Sequence, residues 1–200
     1  MSYSSEMEKA IHEHDLQAVE KLILDGTNVN QADEHGYTAL HVAAILDARD
    51  IVSFLLESGA LVNVRCNRGL TPLHQATIEG HLSVISILLE NGAVLDEKTM
   101  GTMKMTALHI AARNGHLDIV EYLVLRGANI DALDDDDVTP LMMATMAEHD
   151  MVVDYLLSQG ANFRLVDICG KTAIQTAMEL ENWWMVEHLA RQARLNPLSN

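Results

Sequence analysis

Thr71-Pro-Leu-His74-Gln-Ala76 is the stretch that decides the fold, because four variants of it occur elsewhere in the chain. The threonines lie at positions 38, 71, 106, 139 and 172, so the spacing between copies is 33, 35, 33 and 33 residues. A fixed period of this length is typical of an array of repeated helical units. The other copies are Thr38-Ala-Leu-His41-Val-Ala43, Thr106-Ala-Leu-His109-Ile-Ala111, Thr139-Pro-Leu-Met142-Met-Ala144 and Thr172-Ala-Ile-Gln175-Thr-Ala177.

Each copy predicts a pair of helices followed by a connector. The threonine can accept a hydrogen bond from an unpaired amide at the start of the first helix, where a following proline loses nothing. A second apolar stripe, such as Val84-Ile85 with Leu88-Leu89, predicts the second helix. Glycines 59, 92, 127 and 160 follow these stripes, and glycine ends a helix at little cost in the left-handed conformation.

The period and the Thr-Pro-Leu-His core resemble the ankyrin repeat family, from about Glu6 to about Arg194. The resemblance implies an all-α ankyrin-repeat solenoid of stacked helix-turn-helix pairs with short hairpin-like connectors. Ser5 and Glu8 form a capping-box pattern that opens the first helix directly. We expect a single array over residues 1–200: an N-terminal cap repeat at about 4–32, full repeats at 33–65, 66–100, 101–133 and 134–166, a C-terminal cap repeat at 167–194, and a tail at 195–200.

Composition agrees with one folded array, since 48% of the residues are hydrophobic and only 4% are aromatic. The start of the chain, Met1-Ser-Tyr-Ser-Ser-Glu6, resembles no secretion signal, and no run of about 18 apolar residues could span a membrane. Cys66 and Cys169 lie in connectors three repeats apart, too far for a disulfide. Two free thiols favour a cytoplasmic protein, or a nuclear one in a eukaryote, and we expect a monomer in isolation.

The formal net charge of -16 disfavours nucleic acid and anionic membrane surfaces as partners. It can steer a partner protein with a basic surface, or it can serve solubility alone, and both interpretations stay open here. The acidic run Asp134–Asp137 replaces the usual connector glycine by Asp137. The run lacks the alternating ligands and the glycine of a calcium loop, so a solvated connector or a contact for a basic partner is favoured over a metal site.

The ten histidines do not form a catalytic or zinc pattern. His41, His74 and His109 occupy the fourth position of the repeated stretch, where the resemblance implies hydrogen bonds to the threonine and to nearby backbone. Histidines that recur once per repeat are too far apart to share one zinc ion. We therefore expect no enzymatic activity, no metal and no cofactor, and an enzymatic or metal-binding protein that uses the connectors is kept only as an alternative.

Function is expected at positions that the repeat leaves free. In proteins similar to this one, the connector tips and the outward side of each first helix line a concave groove. The residues in those positions are unusually apolar, which is typical of a protein interface. Some of them can instead fold back onto neighbouring repeats. This predicted partner-binding strip consists of Glu34, His35, Tyr37, Ile45, Leu46, Asn67, Arg68, Leu70, Ile78, Glu79, Met103, Met105, Arg113, Asn114, Asp135, Asp136, Val138, Met146, Ile168 and Lys171.

Two departures from the pattern lie near this strip. The third connector has two extra residues within Glu97–Met105 and contains three methionines, so we expect it to protrude. Trp183 and Trp184 begin the last helix, where one indole can cover the end of the stack and the other can bind a partner.

The sequence thus predicts a non-enzymatic protein-interaction module that acts as an adaptor or a stoichiometric inhibitor. An alternative within the same class is an immunity-type inhibitor that plugs the basic site of a toxin or an enzyme.

Overall fold

The computed structural model describes residues 5–101 and 103–195. Three parts of the chain lie outside the described residues: residues 1–4, where no leader was expected, Thr102 of the long connector, and residues 196–200 of the predicted tail. Across the described ranges the chain forms twelve α-helices and no extended sheet. They are α1 (Glu6–His12), α2 (Leu16–Leu24), α3 (Ala39–Ile45), α4 (Arg49–Glu57), α5 (Pro72–Glu79), α6 (Leu82–Glu90), α7 (Ala107–Asn114), α8 (Leu117–Leu125), α9 (Pro140–Met146), α10 (Asp150–Ser158), α11 (Ala173–Glu179) and α12 (Trp183–Leu195).

The predicted helix starts are confirmed, because every odd-numbered helix from α3 to α11 begins directly after the threonine of its repeat. The Thr139 hydroxyl, for example, accepts a hydrogen bond from the Met142 amide at 3.2 Å. At the N-terminus the Ser5 hydroxyl accepts one from the Glu8 amide at 3.1 Å. Each cap satisfies an amide that has no partner within its own helix, which fixes where the helix begins.

The predicted helix ends are also confirmed. Gly59, Gly92, Gly127 and Gly160 all have φ between 87° and 90°, and each follows the last turn of a second helix. Within the second helices, the inward face is filled by small branched side chains: in α6 these are Val84, Ile85 and Leu88, all fully buried. Aliphatic side chains of this size on the inward face allow the short helices to pack closely.

The chain divides into two compact units. The first contains α1–α6, in which α3 packs on α1, α4 and α5, while α2, α4 and α6 pack one after another. The second contains α7–α12, in which α9 packs on α7, α10 and α11, while α8 packs on α10 and α11 on α12. In both units the first helices of successive pairs form one layer and the second helices form another. Among the described residues, no helix is both long enough and apolar enough to cross a membrane.

Candidate partner-binding surface

The repeated histidines have structural partners, as expected. The Nδ1 atom of His41 accepts hydrogen bonds from the Thr38 amide at 3.2 Å and from the Thr38 hydroxyl at 3.0 Å. Its Nε2 atom therefore has the proton and donates to the carbonyl oxygen of Leu70 at 3.1 Å. Burial of the ring lowers the pKa of His41, although the carbonyl of Leu70 opposes this shift. This histidine joins the start of α3 to the next connector.

His109 repeats this arrangement in the second unit. Its Nδ1 lies 2.8 Å from the Thr106 hydroxyl, and its Nε2 donates to the carbonyl oxygen of Val138 at 3.0 Å. Burial lowers the pKa of His109 as well. His74 is fully buried, with Nδ1 2.8 Å from the Thr71 hydroxyl. All three rings have a structural role, and none faces solvent.

In the first unit, successive connectors are joined at their tips. The Asp33 carboxylate accepts hydrogen bonds from the amides of His35 and Tyr37, which closes the first connector into a tight turn. From the next connector, Asn67 donates its backbone amide to the carbonyl of His35 at 2.9 Å and its side-chain amide to the carbonyl of Glu34 at 3.0 Å. The tips of these two connectors therefore form one row.

In the second unit, the acidic run lies within a comparable row. Asp134 is buried, and its carboxylate accepts hydrogen bonds from the amides of Asp136 and Val138. Asp137 has φ of 56°, so an aspartate occupies the left-handed position that glycine fills in other connectors. The Ile168 amide donates to the carbonyl of Asp136 at 3.0 Å. Asp134 thus shapes its turn, while Asp135, Asp136 and Asp137 face solvent.

Leu70 is a correction to the predicted strip of the first unit. The expectation of an exposed side chain is wrong there, because Leu70 is only 9% exposed and its carbonyl accepts the hydrogen bond of His41. The other nine predicted residues of this unit are exposed or partly exposed. They are Glu34, His35, Tyr37, Ile45, Leu46, Asn67, Arg68, Ile78 and Glu79.

Val138 is the corresponding correction in the second unit. It is 8% exposed and stands in the same position of its repeat, directly before the threonine. Of the residues at this position, Leu70 and Val138 are buried, whereas Tyr37, Met105 and Lys171 stay partly exposed. The remaining predicted residues of this unit are accessible: Met103, Met105, Arg113, Asn114, Asp135, Asp136, Met146, Ile168 and Lys171.

A groove of about 610 Å³ lies beside Tyr37 in the first unit and was not anticipated. Ile11 of α1, Val42 of α3, Asp33 and Glu8 contribute to its walls. The groove lies between α1, α3 and the first connector. The repeated stretch of sequence carries no signal for this groove.

Charged side chains of the strip differ in how far they are already paired. Lys104 contacts Asp135 at 3.0 Å, and Lys171 contacts Glu179 at 2.7 Å. The hydrogen bond to Glu179 raises the pKa of Lys171. Exposed ion pairs of this kind contribute little to stability. No group of three His, Cys, Asp or Glu residues within 5–101 and 103–195 is arranged to hold a metal ion.

At Met100 the long third connector does not protrude as expected, because it is bonded to the preceding connector. The Met100 amide donates to the carbonyl of Gly69 at 3.1 Å, and a Cβ on Gly69 would lie 2.2 Å from that of Met100. Only glycine permits this approach at position 69. The Met100 side chain is nevertheless exposed, and Met103 and Met105 of the same connector are partly exposed in the second unit.

Comparison with known proteins identifies the family. A sequence profile of ankyrin repeats, three copies long, matches residues 7–99, 66–134 and 108–198. The chain belongs to the ankyrin repeat family, and its predicted all-α fold of helix-turn-helix pairs is confirmed. Ankyrin repeats are protein-interaction modules and in general have no enzymatic activity. No curated protein sequence matches the chain.

Two solved structures are similar over nearly the whole chain. The human ASB11 ankyrin repeat domain is 28% identical, with a TM-score of 0.82 over 94% of this chain and 83% of that one. A chain in the complex of the predatory endopeptidase Bd0816 of Bdellovibrio bacteriovorus with the immunity protein Bd3460 is 26% identical. Its TM-score is 0.85 over 95% of this chain and 99% of that one.

Proposed function

We propose that this protein binds a partner protein through the accessible residues of the strip and performs no catalysis of its own. The observation that supports this most is the exposure of apolar side chains within the strip. Ile168 is 63% exposed and Met146 is 47% exposed, although both adjoin well-packed helices. Solvent-facing apolar groups next to charged ones are typical of protein interfaces.

The partner's surface is proposed to be basic. Glu34, Glu79, Asp135 and Asp136 are exposed within the strip, and the whole chain has a net charge of -16. Such a charge accelerates the approach of a cationic protein and disfavours acidic competitors. The groove beside Tyr37 adds an acidic and apolar recess at the start of the strip, which suits a lysine or arginine side chain.

Between an adaptor and a stoichiometric inhibitor, the similarity to the complex of Bd0816 with its immunity protein favours the inhibitor. An immunity-type protein that plugs a basic toxin or enzyme site is the second candidate, and it requires the same acidic strip. An enzymatic or metal-binding role of the connectors has no comparable support, because the repeated histidines are bonded to threonines and carbonyls.

We further propose that residues 1–200 form one array with the repeat boundaries that the period predicts. Both cysteines are free, Cys66 buried and Cys169 exposed, which supports a reducing compartment such as the cytoplasm.

The test is capture of partners on the immobilised chain, followed by binding kinetics of the captured protein with strip variants. Ile168→Ala and Tyr37→Ala are expected to weaken binding by more than about fivefold each, since truncated interface anchors commonly cost more than about 1 kcal/mol. Leu125→Ala is the matched control, because Leu125 is 78% exposed but lies outside the strip. Equal affinities for the parent and all three variants would contradict the proposal.

The same complex distinguishes the two roles. If the captured protein is an enzyme, an inhibitor abolishes its activity at a molar ratio of one to one. An adaptor leaves that activity intact while it binds with the same stoichiometry.

A further inference from the structure

Exposed apolar side chains are concentrated at the C-terminal end of the second unit. Trp183 is 66% exposed and Trp184 is 50% exposed, and they are the two tryptophans of the chain. Met151 and Leu180 are exposed as well. By contrast, Met185 and Leu189 of the same helix are almost completely buried, so these residues and not the indoles form its buried side.

Contacts between two turns bring these side chains together. The side-chain amide of Asn182 donates to the Glu148 carboxylate at 3.0 Å, which joins the turn before α12 to the turn before α10. The Trp184 ring stacks on His188 with ring centres 5.2 Å apart, and His188 contacts Asp154 at 2.6 Å. Met151 lies one helical turn before Asp154, on the same side of α10. Residues 148–151 and 180–184 therefore form one surface, here called the C-terminal aromatic patch.

The charge of this patch has a single sign. Glu148, Asp150 and Glu181 are exposed within it, and neither of its two segments contains lysine or arginine. Among the described residues, none of these three carboxylates is in an ion pair. Two accessible indoles beside carboxylates that pair with no described lysine or arginine provide both an apolar surface and a negative field.

We infer that the C-terminal aromatic patch is a second docking site, separate from the strip, for a basic protein segment with apolar side chains. An ammonium or guanidinium group is attracted both to the face of an indole and to the surrounding carboxylates. Tryptophan is enriched among residues that dominate binding energy at interfaces. A second copy of this chain fits poorly, because it would bring two negative patches together on proteins of charge -16 each.

The tryptophans themselves report on the site, because no other tryptophan contributes fluorescence. In the free protein we expect caesium ions to quench the emission more strongly than iodide, since the field around the indoles is negative. The probe is a fluorescein-labelled amphipathic helix of leucine and lysine, about 14 residues long so that it forms several turns. Its unlabelled form should shift the emission to shorter wavelength in a saturable, salt-sensitive manner, and a leucine–glutamate peptide of the same pattern should not.

Fluorescence anisotropy of the labelled peptide then measures its affinity for each variant. Trp183→Ala/Trp184→Ala is expected to reduce the affinity at least about tenfold, and Glu148→Gln/Glu181→Gln about threefold with a weaker salt dependence. Trp183→Ala alone is the second variant in case loss of the Trp184–His188 stack disturbs the fold, which circular dichroism and Tm will show. Leu125→Ala/Glu121→Gln on α8 is the matched control and should bind as the parent does.

Three results would overturn the inference: no saturable emission shift, unchanged affinity in both tryptophan variants, or an equal loss in the α8 control. A dimer found by sedimentation in the parent and absent in the tryptophan variants would assign the patch to self-association instead. Because all these variants lie outside the strip, failure here leaves the proposed function of the strip untouched.

Discussion

The helix pairs α7–α8 and α11–α12 begin with the same stretch of sequence but differ in how much of it is buried. In α7, six consecutive residues from Ala107 to Ala112 are buried, whereas in α11 only Ala173 and Ala177 are. The difference lies in the neighbours of each pair: α7 packs on α9, while no further helix pair comes after α12 among the described residues. The same local sequence therefore gives the same helix and a different environment.

The fourth position of the stretch shows this most clearly. Gln175 accepts hydrogen bonds from the amide and hydroxyl of Thr172, at 2.8 and 3.0 Å, as His109 does from Thr106. His109 also donates a hydrogen bond from Nε2 to the next connector, whereas Gln175 is exposed and its side chain bonds to its own threonine. The start of a helix is thus a local property, whereas burial and the stability that comes with it depend on the following repeat.

The largest expected effect comes from removing a core side chain at equivalent positions of the two pairs. Leu108→Ala should lower the free energy of unfolding by about 2–5 kcal/mol, because Leu108 is 1% exposed and a cavity would remain. Ile174→Ala should cost clearly less, since Ile174 is partly exposed. Urea unfolding followed by circular dichroism measures both, and equal losses would contradict the comparison.

A smaller effect is expected from the fourth position. His109→Gln keeps the hydrogen bonds to Thr106 but loses the one to Val138, which should cost about 1 kcal/mol. Gln175→His at the exposed position should be nearly neutral in the same urea unfolding experiment. If Gln175→His destabilises as much as His109→Gln, the bond to the next connector is not what distinguishes them.

A still smaller loss of stability is expected when the pH is lowered, because of the buried histidines. The pKa values of His41 and His109 are lowered by burial, so the folded state favours neutral rings more than the unfolded state does. Their contribution to stability is complete above their ordinary pKa of 6.5 and is lost as the pH falls through the lowered folded values. Tm measured from about pH 8 down to about pH 5 should decrease, and His109→Gln should show a shallower decrease than the parent. Parallel curves would contradict this.

The sequence allowed the fold to be predicted in detail, because the signals for it are local. Thr139 caps α9 and Gly160 ends α10 through contacts with their own turns, so the role of each can be recognised without reference to the rest of the chain. The period then implied the stacking of one pair on the next.

The candidate site could be predicted only in outline. Leu70 and Val138 were expected on the surface, but exposure depends on packing against the next connector, which the repeat pattern does not record. The groove beside Tyr37 is formed jointly by α1, α3 and the first connector, and no single stretch of sequence encodes it. The tryptophans were noticed, but their position beside residues 148–151 depends on the Asn182–Glu148 contact between residues 34 positions apart.

Buried positions of the repeat are expected to determine stability, whereas accessible positions of the strip are expected to determine binding. The strip variants Asp135→Asn/Asp136→Asn and Ile168→Ala should therefore leave stability within about 0.5 kcal/mol of the parent, as surface substitutions usually do. Asp135→Asn/Asp136→Asn should mainly slow association with the captured partner, and Ile168→Ala should mainly speed dissociation.

Surface plasmon resonance at two salt concentrations, with Leu125→Ala as the control, measures this division of roles. We expect slower and less salt-dependent association for Asp135→Asn/Asp136→Asn, faster dissociation for Ile168→Ala, and parent-like kinetics for the control. Identical kinetics for the parent and every strip variant would show that the strip does not bind the partner.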